Sequence, residues 1–205
     1  MRGAMYLHAG LFWCITVMKG DTKPLFFYSS VIVICISRED WNATPASHMT
    51  PLSTPVAYVV VHHTYLPPAC NSHEECVTAM RGMQNYHNSL GWGDIGYNFC
   101  IGSDGGVYEG RGWENKGIHA GPANGVSVGI CLIGDWRVSS PPEEMIAATL
   151  ALIEIGVARG SIKADYKVIG HSQAMKTECP GAALSNIISK WEHFSNTFTR
   201  DNKRL

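Results

Sequence analysis

Residues Val56–His63 read VAYVVVHH, a nearly unbroken apolar and β-branched run that ends in two adjacent histidines. Such a run is a strand buried on both faces, the kind found in the middle of a sheet covered by helices. Neighbouring side chains of a strand point to opposite faces, so only one of His62 and His63 can face a given site. Downstream, a proline-containing loop leads to Asn71-Ser72-His73-Glu74-Glu75, where Ser72 and Glu75 have capping-box spacing. Val77, Met80 and His87 then recur at helical intervals, which predicts a helix to about Ser89. Residues 97–101 and 107–109 flank the turn sequence Gly102-Ser103-Asp104-Gly105-Gly106 as two strands. Residues 126–133 form a further buried strand, and Val168-Ile169 a short one before Gly170-His171. Pro141-Pro142-Glu143-Glu144 opens a second long helix, with proline and acids where a helix N-terminus accepts them. A last helix starts near Gly181 and carries Leu184, Ile187, Ile188 and Trp191. Strands interspersed with about three helices predict an α/β fold with a mixed central β-sheet.

The whole chain has 205 residues, 16% of them charged, and a formal net charge of -1. This balance excludes a nucleic-acid binder that relies on a basic field, so recognition falls to shaped pockets. Residues 1–36 differ in character from the rest. Residues 25–36 (LFFYSSVIVICI) are an apolar run preceded by Lys19 and Lys23 and followed by Arg38-Glu39-Asp40. The run is shorter than the roughly 20 residues of a membrane span and suits a signal-peptide core of about 7–15. The expectation is an N-terminal leader over 1–36, a domain over 37–205 and a secreted protein; residues 1–17, upstream of Met18, have no assigned role. The alternative is that Val31–Ile36, rich in β-branched residues, is the first strand of the domain. Asn42-Ala43-Thr44 is a glycosylation acceptor pattern that only a secretory route could use.

Side chains able to hold a metal stand at strand ends and in loops: His62 or His63, His119, His171 and Cys179. One histidine of the pair, with His171 and Cys179, would make a His-His-Cys set that leaves the fourth tetrahedral position of Zn2+ to water. Zinc lowers the pKa of such a water toward about 7. A Cys-His site with Cys179 as thiolate nucleophile is the rival chemistry, and a hydrogen-bonded loop histidine beside a buried cysteine is the plain alternative to both. The seven cysteines are an odd number. Cys70 and Cys76 enclose five residues at the start of the first long helix, where a secretory route favours a disulfide. Cys100 and Cys131 read as core residues, and Cys14 and Cys35 fall in the leader.

Ser37-Arg38-Glu39-Asp40-Trp41, Val59-Val60-Val61-His62-His63-Thr64, the pair Cys70 and Cys76, Gly91-Trp92-Gly93-Asp94-Ile95-Gly96-Tyr97-Asn98-Phe99, Val107-Tyr108-Glu109-Gly110-Arg111-Gly112-Trp113, Val128-Gly129-Ile130-Cys131-Leu132-Ile133-Gly134, and Gly170-His171 through Cys179-Pro180-Gly181 occur in family order. Over about residues 37–195 the chain thereby resembles a peptidoglycan recognition protein. The resemblance implies the amidase fold shared with bacteriophage lysozyme-like amidases, with a peptidoglycan groove on one face. It also implies zinc ligands at His62, His171 and Cys179, an active-site tyrosine at Tyr97, and Thr177 where phage relatives carry lysine. The implied reaction is attack of zinc-activated water on the lactyl carbonyl, cleaving the amide between N-acetylmuramic acid and L-alanine, with Tyr97 and Thr177 assisting. Implied groove contacts are Thr64, Gly91, Trp92, Tyr97, Arg111 and His119. Gly-Trp at 91–92 with Arg111 resembles members that favour meso-diaminopimelate-type peptides, whose extra carboxylate a guanidinium can grip with two hydrogen bonds. Two functions fit: a secreted, monomeric zinc amidase of innate immunity acting on bacterial peptidoglycan, or a non-catalytic receptor with the same groove.

Overall fold

A computed structural model describes residues 31–199 and the short segments Cys14–Ile15 (β1) and Leu25–Tyr28 (β2). The other strands are β3 (Val31–Ile36), β4 (Val56–His63), β5 (Phe99–Ile101), β6 (Gly106–Glu109), β7 (Ser127–Leu132) and β8 (Ile162–Gly170). They form one mixed sheet in the order β1-β2-β3-β6-β5-β7-β4-β8. The apolar run of β4 lies between β7 and β8 and is parallel to both, with His62 opposite Cys131 and Val61 opposite Gly170. Burial on both faces explains why β4 and β7 show no polar alternation.

The helices are α1 (His73–Ser89), α2 (Glu143–Ala158), the single turn α3 (His171–Ala174) and α4 (Ala182–Ile188). At α1 Ser72 caps the helix as expected, while the Glu75 carboxylate reaches back one residue beyond the cap, to Asn71. The Glu75 N–H donates to the Ser72 hydroxyl at 3.3 Å, and the Asn71 N–H donates to the Glu75 carboxylate at 2.7 Å. Cys70 and Cys76 are joined in a disulfide that ties the preceding loop to the first turn of α1.

Val59 and Val61 of β4 join Ile130, Leu132, Met145 and Leu152 in the core that α2 covers. On the opposite face, Val60 packs with Ala120, Ala123 and Ile169, while Cys100 and Cys131 meet Cys76, Met80 and Met83 beneath α1. His62, two residues from Val60, therefore points to the α1 face at the C-terminal end of β4.

Two elements exceed the expectation. β8 runs over nine residues, longer than expected because its middle, Lys163 to Lys167, is mostly exposed and hides the strand from an apolar pattern; only Ile162 and its last three residues are buried. α3 is too short to show a period. Val31–Ile36 takes the strand conformation of the alternative: β3 pairs parallel with β6, Ile36 opposite Tyr108, and buries Val33 and Ile36. The remainder of the expected leader lies outside the described residues apart from β1 and β2. Among the described residues no helix is long and apolar enough to cross a membrane.

Candidate metal centre and groove

β4 and β8 are parallel, so their C-terminal ends reach the same edge of the sheet. His62 stands at the end of β4, and His171 follows β8 directly. The chain then turns through α3 and comes back, the Ser172 N–H donating to the Cys179 carbonyl at 2.9 Å. This return brings the Cys179 sulfur to 3.7 Å from His62 Nδ1. One ligand atom from each of His62, His171 and Cys179 lies within 4.8 Å of the others. Two tetrahedral zinc ligands at ordinary N and S bond lengths would sit about 3.6 Å apart, so the donor set fits zinc in chemistry and spacing. His63, with the opposite orientation, accepts from the Trp136 N–H at 3.2 Å, and its own backbone N–H donates to the Cys179 sulfur at 3.3 Å. Of the two histidines, His62 is the one that clusters with His171 and Cys179.

Electrostatics keep these groups neutral. Burial pushes the His62 imidazole well below its usual range, and His119, His171 and His63 add to this. Burial brings His171 down to about 4 and His119 to about 3. Burial also pushes the Cys179 thiol up to about 12, the His63 N–H opposing. That is the wrong direction for a thiol that must ionise unaided and the direction a metal cation reverses.

Two recesses meet beside the ligands. The larger, about 1100 Å³, lies between α1 and residues 64–71; the smaller, about 550 Å³, is lined by His171, Thr177, Glu178 and Cys179. Thr64, Tyr65 and Tyr97 line both. The rim is braced by Arg137, which pairs with Asp135 at 2.8 Å, approaches Glu178 at 3.6 Å and covers the Tyr65 ring at 4.5 Å.

Residues 52–182 match the family model described as N-acetylmuramoyl-L-alanine amidase. Peptidoglycan-recognition protein LB of Drosophila melanogaster is 46% identical over 162 residues, spanning 78% of this chain and 70% of its own. The chain belongs to the peptidoglycan recognition protein family. The solved structure of Drosophila LB superposes with a TM-score of 0.79 at 45% identity, covering 80% of this chain and 97% of that one. A second relative, peptidoglycan recognition protein-LE solved with tracheal cytotoxin, a monomeric diaminopimelic acid-type peptidoglycan, has a TM-score of 0.77 at 39% identity, covering 79% of this chain and 96% of that one.

Within this recognition-protein frame the expected site residues are not placed alike. The Tyr97 ring lies 5.2 Å from that of His62, and burial raises its hydroxyl well above the ordinary range, so it remains a proton donor. Thr177 is exposed in the smaller recess and accepts from the Cys179 N–H at 3.2 Å. The Thr64 hydroxyl accepts from the Gly134 N–H at 2.7 Å and reaches the Pro67 carbonyl at 2.8 Å, fixing the loop beneath the groove. Gly91 takes the left-handed conformation at φ 79°, and the Trp92 ring stacks on His87 at 4.6 Å.

Two expected groove contacts are engaged inside the protein. Arg111 is only 3% exposed and donates to the carbonyls of Ile95 and Trp92, each at 2.7 Å, and of Lys116 at 3.3 Å. His119 is likewise buried, its Nδ1 2.9 Å from His62 Nε2. His87, which the sequence marks only as part of a helical period, lines the larger recess between Trp92 and Tyr97. A histidine on the apolar face of α1 was the available signal.

Proposed function

We propose that the chain is a secreted zinc-dependent N-acetylmuramoyl-L-alanine amidase that binds bacterial peptidoglycan and hydrolyses the amide between N-acetylmuramic acid and L-alanine. The observation that carries this reading is the convergence of His62, His171 and Cys179, with ligand atoms within 4.8 Å, where two recesses meet. Three ligands leave one tetrahedral position for chemistry, whereas a structural site would close it with a fourth. Zinc, when bound, supplies a Lewis acid and a water ionisable near neutrality.

The chain's own groups do the rest. The Tyr97 hydroxyl, kept protonated by burial, is a donor for the negative charge that develops on the attacked lactyl oxygen. Thr177 holds the Cys179 backbone and presents its hydroxyl to the smaller recess. The larger recess takes the stem peptide along α1, and Arg111, buried beneath it, acts on preference for diaminopimelate-type stems by holding the Ile95 and Trp92 carbonyls in place. Because Val33 and Ile36 are buried in the sheet, leader cleavage that preserves the fold falls before β3. Mass spectrometry of the secreted protein reads that terminus.

Incubation of the zinc-loaded protein with defined muropeptides tests the activity, with release of free stem peptide followed by mass spectrometry. Release that stops on chelation and returns with zinc is the expected result. Intact substrate despite one bound zinc per chain overturns the amidase reading in favour of a non-catalytic receptor; activity that survives chelation but not alkylation points to a thiol nucleophile.

A further inference from the structure

We propose that His119 is a positioning residue that fixes the tautomer and ring plane of His62, so that His62 turns its Nδ1 lone pair to the metal. The inference deepens the zinc reading above and rests on it. His62 has two ring nitrogens with different neighbours. Nδ1 lies 3.7 Å from the Cys179 sulfur, on the side where the three ligand groups converge; Nε2 lies 2.9 Å from His119 Nδ1. A nitrogen that ligates must offer a lone pair, so Nδ1 carries no proton and Nε2 carries the only one of the neutral ring. The hydrogen bond then has one direction. His62 Nε2–H donates, His119 Nδ1 accepts, and the His119 proton sits on Nε2. The reverse direction would put a proton on His62 Nδ1, facing the sulfur, and block ligation.

The fold holds His119 for this task. Its ring stands nearly perpendicular to that of His62, at 88°. Its backbone is fixed by Asn124, whose side-chain oxygen accepts from the N–H groups of His119 at 3.0 Å and Ala120 at 2.7 Å. Two glycines make room for the ring: a Cβ on Gly117 would come within 2.3 Å of it and a Cβ on Gly129 within 2.6 Å. The Nε2–H this assigns to His119 is buried without an acceptor among the described residues, a cost that the metal bond at His62 Nδ1 must outweigh. Metal-bound histidines normally direct their second N–H to a carboxylate, carbonyl or water; here a second histidine occupies that place.

Long-range 1H–15N spectra of histidine-labelled protein, assigned with a His119→Gln variant, read the tautomers with and without zinc. His62 is expected as the Nε2–H form and His119 as the Nε2–H form in the wild type. His119→Ala removes the acceptor and is expected to mix the His62 tautomers and to weaken zinc about 10- to 100-fold in competition with a chromophoric chelator. His119→Gln, which restores a carbonyl acceptor, recovers most of that affinity. An Nδ1–H form of His62 in the wild type overturns the proposal, as do variants with unchanged zinc affinity and only a raised KM, which mark a simple groove contact. A wild type that holds the Nε2–H tautomer but binds no zinc defeats the amidase reading and leaves the tautomer lock standing.

Discussion

Replacing Gly129 by alanine puts one methyl group against the His119 ring. An ideal Cβ there falls 2.6 Å from Cδ2, 2.6 Å from Cγ and 2.7 Å from Nδ1, against ordinary contacts of 3.4 Å or more. The backbone cannot yield, because the Gly129 N–H donates to Asn98 Oδ1 at 2.9 Å and its carbonyl accepts from the Asn98 N–H at 3.0 Å. The imidazole must therefore move by about 0.8 Å, and its 2.9 Å bond to His62 is disturbed. Overpacking of about 1–3 kcal/mol and loss of a buried hydrogen bond worth about 1 kcal/mol sum to roughly 2–4 kcal/mol. For a domain of this size that lowers Tm by about 4–16 °C. Gly125→Ala, where a Cβ meets nothing within 4 Å, is the control and is expected to stay within about 0.5 kcal/mol of wild type. Urea and thermal unfolding measure both. The double variant Gly129→Ala with His119→Ala relieves the clash, so its cost must fall short of the sum of the singles by about 1 kcal/mol or more. Additive costs, or a Gly129→Ala protein as stable as the control, would refute the steric argument.

Acid lability follows from His87, which burial holds at about 4 against 6.5 for an exposed imidazole. The unfolded chain binds more protons between those values, so stability is complete above about pH 6.5 and lost as the pH falls toward 4; His87→Gln should flatten this slope in urea titrations at pH 7 and pH 5, and equal slopes would exclude His87 as a contributor. Arg111→Lys replaces a fork that serves three carbonyls with a single ammonium, and is expected to cost about 1–3 kcal/mol and to weaken binding of a diaminopimelate-type muropeptide about tenfold by calorimetry. Unchanged stability would contradict the buried placement of Arg111, while lost stability with unchanged affinity would remove it from peptide recognition.

β4 was legible to the residue because burial on both faces leaves a run of apolar, mostly β-branched side chains between Val56 and Val61. The start of α1 was legible because a cap is local chemistry, Ser72 and Glu75 acting within a single turn. β8 was mostly hidden because a strand exposed through its middle carries lysines and an aspartate in place of a pattern. Which histidine of the pair meets Cys179 was legible only through the resemblance, since His62 and Cys179 are 117 positions apart and their meeting depends on the parallel pairing of β4 and β8. The placement of Arg111 beneath the groove was not legible for a different reason. A charged side chain is normally solvated, and its burial is made possible by three backbone carbonyls that no sequence pattern marks.

One signal of the inner site does stand in the sequence. The β7 strand SVGICL is buried throughout, and glycine weakens a strand unless another group needs its space. At Gly129 that group is the His119 ring, and the same ring accounts for Gly117. Two glycines twelve positions apart thus serve one imidazole, and that imidazole touches one nitrogen of His62. The neighbouring residue Ile130 faces the α2 side and carries a full side chain at no cost, so the missing Cβ at 129 belongs to the site and not to the sheet. The proposed metal centre accordingly extends inward from His62, His171 and Cys179 to a buried histidine and the strand behind it.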